Sequence, residues 1–147
     1  MNRREFSALL PMLAAAGALA PAEGQSTHKP LEKLVSGRYP EGPETHPSTT
    51  GRTSRHIVLG MLPDNIRLEA HETTLAPGAP PEKIAHHKHT ETWLVREGEV
   101  TLMTDGVVRT LRAGDMGICI AGDQHYVANA SKTEPCSYFV VCMGPPE

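Results

Sequence analysis

Ala85 to Gly98 reads AHHKHTETWLVREG. Three histidines and a glutamate stand within six residues, and a run of strand-forming residues follows. His87, His89 and Glu91 fall at i, i+2 and i+4. In an extended strand such residues share one face, while His86 and Lys88 take the other. Two imidazoles and a carboxylate on one face form a ligand set for a divalent first-row metal. The plainer alternative is a polar strand face with solvated histidines. The metal reading gains weight from a second stretch, Gly114 to Asn129, GDMGICIAGDQHYVAN, in which His125 follows Gly122. His125 alone reads as an ordinary barrel histidine. Beside the first stretch it becomes a fourth ligand from a neighbouring strand.

Together the two stretches resemble the motifs of the cupin superfamily. In the first, Glu91 is followed by six residues and then Gly98. In the second, Gly114, Gly122, His125 and Asn129 keep the family's spacing. Two positions depart from the pattern. Ile120 stands where the family has proline, and Ala85 stands where it has its first histidine, with His87 at the second. The resemblance covers roughly the last two-thirds of the chain. It implies a double-stranded β-helix, or jelly-roll, barrel. It also implies one divalent transition metal (Fe, Mn, Ni, Cu or Zn) held by His87, His89, Glu91 and His125, with His89 standing in for the missing histidine. A homodimer is a further implication.

Composition agrees with a single all-β domain. The chain has 147 residues, with thirteen glycines and thirteen prolines that favour turns over helices. Its net charge of −3, with no basic stripe, argues against nucleic acid as a partner. The expected partner is a small molecule.

The N-terminus reads as an export signal. Asn2-Arg3-Arg4-Glu5-Phe6 resembles a twin-arginine box, Leu9 to Ala22 is an alanine-rich apolar run, and cleavage is expected after Ala22. The run is short for a membrane span and carries Pro11 and Pro21. The expected location is therefore the periplasm or outside the cell, with no membrane attachment after cleavage. Three segments result: a leader at 1–22, an irregular arm at 23–55 and the barrel at 56–147. In the arm, Leu31, Leu34 and Val35 suggest a short helical turn, and Tyr39-Pro40 a cover for an edge strand. His28, His46 and His56 read as solvated.

Within the barrel, strands are expected at 57–62, 66–75, 93–95, 100–104, 107–111, 116–120, 126–130 and 137–143. Asp105-Gly106 is a hairpin signal. On the second of these, Ile66, Leu68 and Ala70 alternate as the inward set, which places His71 outside. Cys119, Cys136 and Cys142 are expected as buried reduced thiols, with Cys119 facing the cavity but short of a base to make it a nucleophile. Trp93 shares the parity of Glu91 and reads as core or pocket wall. Met103 and Met116 read as core filler.

A metal in this set leaves positions open for oxygen or a chelating substrate. Glu91 could ligate it or act as a base beside it, and desolvation would raise the pKa of a carboxylate not held by metal. The favoured reading is a metal-dependent oxygenase of the dioxygenase kind acting on a small organic compound. The alternatives are a non-oxidative isomerase, decarboxylase or lyase, and a non-enzymatic binding module for a small ligand or metal.

Overall fold

The computed structural model describes residues 30–45 and 50–146. The leader lies outside the described residues, as do His28 and His46. Nine strands form: β1 (Glu44–Thr45), β2 (Arg52–Leu62), β3 (Ile66–Leu75), β4 (Thr90–Glu97), β5 (Glu99–Thr104), β6 (Val107–Arg112), β7 (Met116–Cys119), β8 (His125–Asn129) and β9 (Cys136–Gly144). All pairings between them are antiparallel. One sheet has the order β1-β2-β3-β9-β4-β7, the other β6-β5-β8. The two face each other as the walls of a jelly-roll barrel, the all-β architecture expected. Apart from one short 3-10 turn, Pro63–Asn65, the described residues hold no helix.

Strand alternation builds the core. Val95, Tyr138 and Val140 from the large sheet meet Val100, Leu102 and Val127 from the small one, and all are buried. Burying each aliphatic side chain contributes about 1.5–3 kcal/mol. The β5–β6 hairpin turns at Asp105 and Gly106, both with positive φ, and pairs Thr104 with Val107. That is the two-residue turn whose twist matches the strands. Asn129 closes the barrel floor. Its side-chain amide donates to the carbonyls of Ala76 and Glu134 at 3.0 and 2.8 Å, and its oxygen accepts from Ser131 N–H at 2.8 Å.

Four expectations are corrected. Residues 31–35 form no helical turn but run extended along β2. Leu34 N–H donates to Met61 O and Met61 N–H to Glu32 O, each at 2.8 Å. An edge strand presents unpaired backbone groups, and satisfying them outweighs a short helix. The first long strand begins at Arg52, ahead of residue 57, because residues 52–55 continue the pairing with β3 and 44–45 pair with them. On β3 the inward set is Glu69, His71, Thr73 and Leu75, opposite to that expected. Their register partners on β9, Cys142, Val140, Tyr138 and Cys136, are buried on the inner face. Leu68 instead lies beside Leu34, Val35 and Tyr39 of the arm. Both faces of this strand are covered, so apolar content could not choose between them. Finally, Met103 is buried as expected, but Met116 is exposed on the outer face of β7.

Candidate metal centre

The first ligand stretch crosses between the sheets. Glu82 to His87 run beside β8. Glu82 N–H donates to Val127 O at 3.0 Å, Ala85 and His125 exchange two backbone hydrogen bonds of 2.9 Å, and Gly122 N–H donates to His87 O at 2.8 Å. The chain bends at Lys88–His89, then enters the large sheet as β4 at Thr90. This bend interrupts the alternation on which a single ligand face depends. His87 is left on the side of the small sheet and His89 at the corner.

Glu91 sits between them at the centre of the inner face, paired in register with Cys119 on β7 and Cys142 on β9. Its Oε2 lies 3.1 Å from His125 Nε2. Its Oε1 lies 2.9 Å from His89 Nε2 and 3.9 Å from His87 Nε2. The ligand atoms of His87, Glu91 and His125 converge within 4.8 Å of one another. Those of His89, Glu91 and Cys142 do so separately. The four residues expected as one set thus divide into two groups that share the carboxylate. The His87 and His89 rings stack, with centroids 4.7 Å apart. His86 is exposed, as its parity required.

Electrostatics follow from this packing. Burial pushes the Glu91 carboxyl up, but hydrogen bonds from His125 and His89, with the charges of His125 and His87, hold it at about 2. Desolvation acts in the expected direction, but the histidines together outweigh it. The reciprocal hydrogen bond to Glu91 raises His125 above the usual imidazole range. His125 Nδ1 faces Cys119 Sγ at 3.5 Å, which turns Nε2 toward Glu91. Such partners fix the orientation of a ligating imidazole. Cys119 does find a histidine, then, but burial, with the charges of Asp123 and Glu91, pushes its thiol up to about 11. It stays a protonated thiol rather than a nucleophile. Cys136 and Cys142 are also free and buried.

The mouth of the site is a cavity of about 270 Å³ lined by residues that include Arg52, His71, Lys83, His87, Trp93 and Tyr138. Trp93 is buried and its ring centroid is 5.3 Å from that of His125, so it serves as core and pocket wall together. Arg52 pairs with Glu82 and donates to the Tyr138 hydroxyl at 3.2 Å. Arg52 and His71 were not singled out from the sequence. Arg52 fell in the arm, and His71 was assigned to the wrong face.

A cupin-domain family model matches residues 71–142. The barrel is a cupin barrel. Solved structures resemble it in fold. An RmlC-like cupin from Shewanella frigidimarina is 21% identical with a TM-score of 0.54, over 74% of this chain and 86% of that one. KdgF from a Halomonas species is 18% identical with a TM-score of 0.60, over 77% and 96%. Among curated proteins, the probable oxidoreductase patJ of Penicillium expansum is 31% identical over 103 residues. That alignment covers 69% of this chain and 31% of the relative, so the chain spans about a third of that protein's length.

Acid should destabilise this barrel through its interior carboxylates. Glu69 is also held at about 2, chiefly by His71, whose Nδ1 lies 3.5 Å from its Oε1, and, against burial, by Arg67. Both Glu69 and Glu91 lie far below the ordinary 4.5. A depressed folded-state pKa contributes stability above the unfolded value and loses it as pH falls through the folded one. Urea midpoints should therefore hold from pH 7 to about 5 and fall steeply toward pH 2, by a few kcal/mol in all. Glu69→Gln should flatten that fall, and an unaltered pH profile in the variant would refute the assignment.

Proposed function

We propose that this cupin is a metal-dependent oxygenase acting on a small organic substrate. The observation that carries the proposal is the convergence of His87, Glu91 and His125 beneath an open cavity. Two histidines and one carboxylate with free positions are the donor set of non-haem iron oxygenases. The similarity to a protein named as a probable oxidoreductase supports the same class. These residues fit a divalent transition metal. Glu91 carries its charge at neutral pH, His125 is aimed by its Nδ1 contacts, and His87 is half-exposed at the entrance.

A metal bound there would supply a redox-active Lewis acid with open positions for oxygen and substrate. The protein's own groups do the rest. Trp93 offers an aromatic wall on which a planar substrate can stack. Lys83 places positive charge at the mouth, while Arg52 is paired there with Glu82, a lining that favours a polar or phenolic substrate. The cavity lies just below the usual range for ligand pockets, which suits a small metabolite. Oxygen consumption by the iron-loaded protein with a panel of small phenols and organic acids tests the proposal. Turnover without oxygen would move the assignment to an isomerase, decarboxylase or lyase. Binding without turnover would make the protein a binding module.

Ala85 bears on this directly. It exchanges two hydrogen bonds with His125, so both side chains project to one face. Ala85→His should add an imidazole beside His125 and tighten metal binding about tenfold, or about 1.4 kcal/mol. Competition with a chelator reads this out, and unchanged affinity would mean that the added imidazole does not reach the metal.

Export and self-association are part of the same reading. The Arg3-Arg4 leader supports export in folded form, testable by fractionating cells that carry Arg3→Lys, Arg4→Lys. Exposed Leu94, Met116, Ile118 and Met143 on the outer face of the large sheet support a homodimer, which sedimentation equilibrium would detect.

A further inference from the structure

We infer that His89, Glu91 and Cys142 form a second metal site, selective for a thiophilic divalent ion such as zinc or cobalt. It lies beside the proposed oxygenase centre and shares Glu91 with it, but none of its other ligands. Its three ligand atoms lie within 4.8 Å of one another. Glu91 Oε1 is 2.9 Å from His89 Nε2 and accepts from the Cys142 thiol at 3.5 Å, while the other oxygen, Oε2, faces His125. Oε1 is thus the oxygen nearer the second group, 2.9 Å from His89 Nε2 against 3.9 Å from His87 Nε2.

The pocket is built into the fold. His89 and Cys142 are 7% and 3% exposed, against 34% for the His87 side chain, so the second group is the more deeply enclosed. Gly144 makes the room: a Cβ there would lie 2.6 Å from His89 Cα and 2.7 Å from its Cβ. Any other residue at 144 would displace the His89 backbone from the end of β9. Imidazole, carboxylate and thiol together match zinc and its soft neighbours, and do not match magnesium or calcium, which take oxygen.

Without metal, burial and the charges of Glu91 and Glu69 keep Cys142 a thiol. Binding breaks the S–H bond, forms a sulfur–metal bond and sends one proton to solvent. No electron is transferred. A metal drives this step because its charge stabilises the thiolate that burial disfavours.

Cobalt(II) titration of the full-length protein tests the inference, since thiolate ligation produces an intense near-ultraviolet charge-transfer band. Wild type and His125→Ala should both show the band and release a proton on binding. Cys142→Ser and His89→Gln should lose the band while keeping the circular dichroism of the wild-type barrel, and Cys119→Ser should keep it. Cobalt bound by wild type with only weak visible absorption would overturn the second site and leave the His87, Glu91 and His125 centre standing. A band that survives Cys142→Ser would overturn it by assigning the sulfur to another cysteine. No cobalt binding by wild type would overturn both sites.

Discussion

His125→Ala should remove iron from the His87, Glu91 and His125 centre. In a Cys142→Ser background, where no thiolate can contribute, bound iron should drop from about one equivalent to near zero. Loss of a partner outside the direct ligand set already costs 10–100-fold in metal affinity, so loss of a direct ligand should cost at least about a hundredfold. Two features make His125 the sensitive position. Its Nε2 is the atom nearest Glu91 Oε2, at 3.1 Å, and its other nitrogen is fixed by Cys119. His87 is more exposed. Elemental analysis of protein purified without chelator measures the effect. His86→Ala is the control, because His86 is exposed and in neither group of converging ligands. Full retention of iron in the His125 variant would remove it from the ligand set.

Gly98→Ala should be among the most damaging substitutions in the barrel. Gly98 has φ +72°, a conformation that costs an alanine roughly 1–2 kcal/mol. An added Cβ would also lie 2.4 Å from Pro135 O and 2.9 Å from Cys136 Cβ. Neither obstacle is the far end of a flexible side chain, so the β4–β5 turn must move away from the start of β9. Cys136 is itself buried in the core, and overpacking there costs about a further 1–3 kcal/mol. A total of about 2–5 kcal/mol is a large part of the stability of a domain this size. Thermal and urea unfolding would register it, and a loss under 1 kcal/mol would show that the turn relaxes freely. Gly98→Asn, which tolerates positive φ but keeps the clash, separates the two contributions.

Much of this architecture was readable in the chain. Short strands between glycine and proline turns, the Asp105-Gly106 hairpin, and the spacings of Glu91 to Gly98 and of Gly114 to Asn129 pointed to an all-β jelly roll. The structure bears this out. Those signals are local: a turn residue or a period of two acts within a few positions, and the physics is the same wherever the segment lies. The spacing also marked His87, Glu91 and His125 as residues to watch.

What depends on a neighbour was not readable. His71 was placed outside because β3 is apolar on the face that the arm covers, and only the tertiary structure shows that the arm lies there. The histidine stretch looked like one ligand face because its alternation is regular on paper. The bend at Lys88–His89, where the chain passes from the small sheet to the large one, sends His89 to Glu91 Oε1, the oxygen that does not face His125. Cys142, 51 residues from Glu91, joins it only through the pairing of β4 with β9. The chain by itself determined which residues could bind a metal and the kind of barrel that would carry them. The packing of the two sheets decided which of those residues meet, because strand register places side chains that are distant in sequence within a few ångströms of one another.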